Sequence, residues 1–179
     1  MTFTLALLCA GPGQAEGLEA EPVIGGLPMR CEDFRGLTVR TMRLEQLGDV
    51  GSARIMGRIP VILLDSDRLA KLPPKLQLFF FSHECAHHAL GHSFAATTSS
   101  EKEADCWSIK NGRERGLFTR DDVSDWAPFF AHSKGSAAGH LPGPERAQRL
   151  LVCYDDLTDE LIEPQITERP PLLSASTGG

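Results

Sequence analysis

The sequence has no block of lysine or arginine and no internal repeat, and its 179 residues carry a formal net charge of −6. It also lacks any run approaching the roughly 20 apolar residues of a membrane-spanning helix. Nucleic-acid and anionic-membrane surfaces attract proteins with concentrated positive charge. We therefore predict no nucleic-acid partner and no integral membrane segment in the mature chain. The length fits one domain with a real core.

The N-terminus differs from the rest of the chain in composition. An apolar run over residues 3–10 precedes Gly-Pro-Gly-Gln-Ala, a pattern typical of a secretory signal cleaved after Ala15, although no lysine or arginine precedes the run. The alternative is a buried strand or short helix. We predict a signal peptide over residues 1–15, an N-terminal extension over 16–30, the main domain over 31–160 and a disordered tail over 161–179. The protein is then exported, either periplasmic or secreted.

Loss of the signal segment removes Cys9 and leaves an even number of cysteines: Cys31, Cys85, Cys106 and Cys153. In an exported protein this predicts two disulfides in one of three pairings. The alternative is four small buried hydrophobic side chains in a cytosolic protein.

Strand patterns precede the helical patterns along the chain. Alternating and β-branched residues predict strands over 37–42, 52–56 and 58–64, with Pro60 at a sheet edge or a strand start. Helices are predicted from the Pro73-Pro74 pair to about 90, with Gly91 as the C-terminal stop, over 101–115, over 121–130 and over 144–151. The first of these is apolar nearly all round, which is typical of a buried helix.

That helix contains His83-Glu84-Cys85-Ala86-His87, the H-E-x-x-H arrangement of zinc peptidases. Residues four apart on a helix lie about 40° from each other, so His83 and His87 share a face, and Glu84 lies about 100° away at its edge. A metzincin would place a histidine ten residues after His83 and a glycine seven after it. Those positions hold Ser93 and Leu90, which excludes that class.

The next helix offers a carboxylate as the third metal ligand. Glu101 and Asp105 share a face, so Glu101 could bind the metal while Asp105 accepts a hydrogen bond from a ligating histidine. Glu103 faces about 200° away from Glu101 and has capping-box spacing with Ser100.

H-E-x-x-H followed by E-x-x-A-D resembles the gluzincin metallopeptidases, especially the soluble periplasmic relatives of the prenyl-protein peptidase family and the minigluzincins. The resemblance covers roughly residues 55–150. It implies an α+β fold, in which a small mixed sheet packs on the active-site helix and on a following ligand-bearing helix. It also implies one Zn²⁺ ion held by His83, His87 and Glu101, Glu84 as general base, and Asp105 as the supporting carboxylate.

These relatives have a His-Pro segment opening a helix with an arginine, and residues 140–146 are similar apart from the inserted Leu141. His140 is therefore either an oxyanion stabiliser or a loop histidine. The expected activity is endopeptidase hydrolysis of a peptide or protein substrate. The extended substrate is expected to pair with the exposed edge of the strand over 52–56. The alternative is a non-catalytic zinc-stabilised binding or chaperone module with the same ligands.

The remaining cysteines and histidines receive structural assignments. Cys85 and Cys106 lie on the two ligand-bearing helices and point off the metal face, which favours a Cys85–Cys106 bond and leaves Cys31–Cys153 as the second. His88 is assigned to packing or surface, and His92 to the C-terminal cap of the motif helix.

Overall fold

The computed structural model describes residues 17–135 and 140–157. Two short strands come first, β1 (Val23–Ile24) and β2 (Leu27–Pro28), and they pair antiparallel. Three longer strands form the main sheet: β3 (Arg40–Leu44), β4 (Gly51–Met56) and β5 (Ile59–Asp65). Their order is β3–β5–β4, with β5 parallel to β3 and antiparallel to β4. The sheet is therefore mixed, as predicted, and β4 lies at its edge.

Six helices follow in the described part of the chain: α1 (Ser66–Ala70), α2 (Pro74–Ala89), α3 (Ser100–Glu114), α4 (Arg120–Asp125), α5 (Ala127–Phe130) and α6 (Gly143–Asp155). The predicted α+β class is confirmed. None of these helices is long and apolar enough to cross a membrane, as far as the described residues show.

Pro60 is not on an edge strand, because β5 is the central strand of the sheet. It is the second residue of β5, and the pairing of β5 with β3 begins only at Val61. Pro60 therefore has a strand neighbour on one side only, opposite Ile55 of β4. The missing N–H of proline is tolerated there, which confirms the strand-start alternative.

α2 is the central element of the fold and is covered on both sides. One core cluster joins it to the sheet, with Phe81 packed among Ile62 and Leu64. A second cluster joins it to the later helices, with Phe79 packed among residues such as Leu150. A helix so covered is held by packing rather than by helix propensity.

The segment over 17–30 packs against the core through a few buried side chains. Ile24 and Met29 are almost fully buried and join the cluster under the sheet, and Glu19 pairs with Thr41 of β3. The expected extension is therefore part of the domain from residue 17 onward. The predicted signal peptide over residues 1–15 and the predicted tail over 161–179 lie outside the described residues.

Two disulfides are present, but the expected pairing is wrong. Cys31 bonds Cys85, and Cys106 bonds Cys153, with Cα–Cα distances of 5.7 and 5.1 Å. The reason is that Cys85 and Cys106 belong to different core clusters. Cys85 points towards the sheet side of α2, where Cys31 lies, whereas Cys106 faces α6. The bonds therefore tie the N-terminal segment to α2 and tie α3 to α6.

Candidate metal centre

The wall of a cleft of about 790 Å³ carries His83 and His87. β4, the end of α2 and the start of α3 line this cleft, together with residues near His140. None of residues 17–30 lines it. The two histidines lie one turn apart on α2, and their Nε2 atoms are 3.2 Å apart. The shared face predicted from the four-residue spacing is therefore the face that borders the cleft.

Glu101 enters the same point from the first turn of α3. Its Oε2 lies 3.2 Å from His83 Nε2 and 3.5 Å from His87 Nε2. We call these three atoms, His83 Nε2, His87 Nε2 and Glu101 Oε2, the donor triangle. Two imidazole nitrogens and a carboxylate oxygen at such separations could hold a metal ion.

His140 also reaches this point, from the segment just before α6. Its Nε2 lies 2.6 Å from Glu101 Oε2, and His83, Glu101 and His140 form a group that could hold a metal ion. Leu141, inserted relative to the family pattern, therefore does not turn His140 away from the cleft.

A buried ion pair supports His83 from behind. Its Nδ1 lies 2.9 Å from Asp105 Oδ1, one turn along α3 from Glu101. Asp105 also accepts two hydrogen bonds from the Arg146 guanidinium, of 2.9 and 2.6 Å. Arg146 comes from α6, so three helices meet at this carboxylate. The predicted sharing of one face by Glu101 and Asp105 is what allows both to contact the same histidine.

His92 supports His87 in a comparable way, which the sequence reading missed. His92 Nδ1 lies 3.2 Å from His87 Nδ1, and His92 Nε2 lies 3.0 Å from Glu103 Oε2. Gly91 has a φ of 77°, a left-handed conformation that ends α2 and turns the next residue back over it. The sequence predicted Gly91 only as the end of the helix. The same glycine turns the chain back, and this could have predicted that His92 lies against His87.

The structure also bears on two other local predictions, one at the start of α3 and one on α2. The capping box between Ser100 and Glu103 does not form, because Ser99 is the N-cap residue and its hydroxyl donates to Glu103. His88 is fully buried and contacts the Val61 carbonyl oxygen and the Ser93 hydroxyl, in agreement with a packing role.

Glu84 lies in the wall of the cleft, with its side chain almost completely buried. It packs against Gly51 of β4, where an added Cβ would lie 2.8 Å from Glu84 Cγ and 3.1 Å from Oε1. Burial raises the pKa of Glu84 above its ordinary value, although the nearby histidines and a backbone hydrogen bond from Ala53 lower it. A carboxylate with a raised pKa is suited to accept a proton and release it again.

The charges around the donor triangle are strongly coupled. Burial alone would lower the pKa of His83, but its contacts with Asp105 and Glu101 raise it to about 9. Burial opposes ionisation of Glu101, yet its contacts with the three surrounding histidines hold its pKa far below the usual range. The pKa of Asp105 is likewise lowered to about 2, against the effect of burial, by His83 and Arg146. The ionised Glu101 and Asp105 therefore favour a positive charge at the centre of the site.

No family model, no curated protein and no solved structure matches this chain. The resemblance to the gluzincins consequently stays a prediction that depends on the motif residues.

Proposed function

We propose that this chain is a zinc-dependent metallopeptidase in which His83, His87 and Glu101 hold the ion and Glu84 transfers the proton. The donor triangle is the observation that carries the proposal. A tetrahedral zinc ion with ligand distances of about 2.05 Å places its donor atoms about 3.3 Å apart. The three edges of the triangle are 3.2, 3.2 and 3.5 Å. The side chains thus have the spacing of zinc ligands.

The chemistry of these donors agrees with the same ion. Imidazole nitrogens and a carboxylate suit zinc, whereas calcium and magnesium prefer oxygen ligands throughout. His83 Nδ1 lies 2.9 Å from Asp105 Oδ1, so a neutral His83 would carry its proton on Nδ1 and direct the Nε2 lone pair at the triangle. In the metal-free protein the proton on His83 supplies positive charge beside Glu101 and Asp105, and a zinc ion at the triangle would take over that role.

His140 fits this arrangement as a hydrogen-bond donor to Glu101. Its 2.6 Å distance to Glu101 Oε2 is well below the roughly 3.3 Å expected for two ligands of one zinc ion. It matches a short, charge-assisted hydrogen bond. In this position His140 orients Glu101 and, as the sequence suggested, borders the space where a substrate oxyanion would develop.

Zinc bound at the triangle would supply Lewis acidity, which lowers the pKa of water towards about 7 and polarises a carbonyl. Glu84 then takes the proton from the attacking water and delivers it to the leaving amine. Its burial and raised pKa suit this exchange. The contact with Gly51 holds the carboxylate in place because no side chain competes for that space.

The edge strand β4 offers a binding surface for an extended peptide. Gly51 to Ile55 line the cleft beside Glu84, and only one side of β4 is paired in the described sheet. A substrate strand would add its main-chain hydrogen bonds to the free side of β4. We therefore propose peptide or unfolded protein segments as substrates.

The two disulfides support a location outside the reducing cytosol. Disulfides persist in the periplasm and in secreted proteins. We propose that the protein is exported, and detection of the disulfide-bonded chain in periplasmic or culture fluid would test this.

The substitution Glu84→Gln tests the mechanism because it removes the base while leaving the three metal donors intact. We expect the variant to bind zinc with the affinity of the wild type and to lose hydrolysis of an unfolded protein substrate. Glu114→Gln, at the exposed end of α3, is the matched control and should keep full activity. Full hydrolysis by Glu84→Gln would overturn the mechanism.

The same experiment separates the peptidase from the non-catalytic zinc-stabilised module. A wild-type protein that binds one zinc ion but cleaves no unfolded substrate would favour the module. The open cleft beside Glu84 and the free edge of β4 favour the peptidase, since a purely structural zinc site is normally closed by a fourth protein ligand.

A further inference from the structure

We infer that His92 and Glu103 are positioning residues that hold the ligand His87 in the tautomer able to bind metal. The inference rests on the proposed function, because it assigns a task towards the same ion. It concerns residues to which neither the motif nor the family pattern gave such a role.

The proton positions along the contacts from Glu103 through His92 to His87 can be assigned by starting at Glu103, whose carboxylate can only accept hydrogen bonds. An ionised Glu103 can only accept a hydrogen bond, so the proton between it and His92 belongs to His92 Nε2. A neutral His92 then has a lone pair at Nδ1 and must accept there. His87 Nδ1, at 3.2 Å, is the donor. The remaining nitrogen of His87, Nε2, is left without a proton and belongs to the donor triangle.

The ionised state of Glu103 has its own support. The Ser99 hydroxyl donates to this carboxylate as well, so Glu103 accepts from two side chains. A metal ion on His87 Nε2 would place the His87 proton on Nδ1, and His92 can accept that proton only through an unprotonated Nδ1. About half of the Glu103 side chain is exposed, whereas His92 is almost fully buried. The chain of contacts therefore runs from the rim of the cleft to the metal site.

The position of His92 also shows why it is not itself a ligand. The Nδ1 and Nε2 atoms of His87 point away from each other. Nε2 belongs to the donor triangle, whereas His92 contacts Nδ1. His92 therefore lies behind His87 as seen from the donor triangle. The arrangement parallels the other ligand, since His83 is held by Asp105 directly and His87 is held by Glu103 through His92. The three carboxylates in the first turns of α3, Glu101, Glu103 and Asp105, thus all contribute to the site.

Zinc affinity measured by competition with a chromophoric chelator tests this inference. Removal of a residue that orients a metal-bound histidine typically weakens binding about 10- to 100-fold. We expect that loss for His92→Leu. His92→Gln should recover most of the affinity, because its amide oxygen can accept the proton from His87 Nδ1. Glu103→Ala, at a half-exposed position that does not threaten folding, should lose about 10-fold.

One control variant and one direct measurement of the proton position accompany the affinity series. His132→Ala removes an exposed histidine and should leave the affinity unchanged. In zinc-loaded, nitrogen-15-labelled full-length protein, we expect a scalar coupling across the hydrogen bond between His87 Nδ1 and His92 Nδ1, with the proton attached to His87.

The possible failures are distinguishable. Tight zinc binding by the wild type together with unchanged affinity in His92→Leu and Glu103→Ala would overturn the positioning role alone. A proton found on His92 Nδ1 would do the same. No zinc binding by the wild type would overturn the proposed function and this inference with it.

Discussion

Two arginine–aspartate pairs in this protein have the same geometry and opposite burial, and they should respond very differently to the same substitution. Arg146 donates two hydrogen bonds of 2.9 and 2.6 Å to Asp105, and both side chains are more than nine-tenths buried. Arg120 donates two of 2.8 and 2.9 Å to Asp155, and about half of each side chain is exposed. The perturbation is Arg→Met at each position.

Arg146→Met leaves the Asp105 carboxylate buried without its guanidinium. Breaking a buried pair by removal of one partner typically costs 3–5 kcal/mol, because the remaining charge has lost its solvation. His83 remains 2.9 Å from Asp105 and compensates in part. We therefore expect a loss of about 3 kcal/mol in the free energy of unfolding, near the lower end of that range. Arg120→Met should cause no resolvable change, because water solvates the Asp155 carboxylate that remains.

The assay is denaturant unfolding of the metal-free protein at pH 7 with its disulfides intact. The double variant Asp105→Asn/Arg146→Met removes both charges, and we expect it to be more stable than Arg146→Met alone. Equal stability of Arg146→Met and Arg120→Met would refute the reasoning, since burial would then not decide the strength of the pair.

Further predictions concern the base, the acid range and the metal. Gly51→Ala should lower kcat/KM about 10-fold with unchanged zinc affinity, because the added Cβ displaces Glu84; equal kinetics in the variant would contradict the contact. The pKa of Asp105 falls from 3.8 to about 2 on folding, so it contributes roughly 2–3 kcal/mol above pH 4. Unfolding curves of metal-free protein between pH 5 and pH 2, compared with Asp105→Asn, should show that contribution disappear as the pH falls. The pKa of His83 is raised to about 9, so zinc must displace its proton at neutral pH. Calorimetry in buffers of different ionisation enthalpy should detect the proton, and zinc affinity should fall roughly 10-fold per pH unit below 9.

Local features of the fold followed from the sequence because their causes are local. The proline pair and Gly91 predicted both ends of α2 closely, and the structure has it over Pro74–Ala89. Helix periodicity alone placed His83 and His87 together, and Glu101 with Asp105. The three predicted strands also appear, with their ends displaced by at most three residues.

Features that depend on which elements meet could not be read in this way. Helix geometry correctly predicted that Cys85 and Cys106 point away from the metal face. It could not predict that Cys85 of α2 faces the sheet side while Cys106 of α3 faces α6. The pairing was therefore wrong. His92 was missed for a similar reason, since its partner Glu103 lies on another helix and faces away from the ligand face.

The sequence by itself determined the helix that bears the motif, the shared faces of its histidines and of the two acidic residues, and hence the metal chemistry to expect. Spacing on one helix is enough for that, because helix geometry is the same in every protein. Only the tertiary structure decided that the two faces meet as a donor triangle and which cysteines bond. It also decided that Asp105, itself paired with Arg146, contacts His83 from behind and that His92 contacts His87 in the same way. Those contacts join segments far apart in the chain, and packing of the whole core sets their distances.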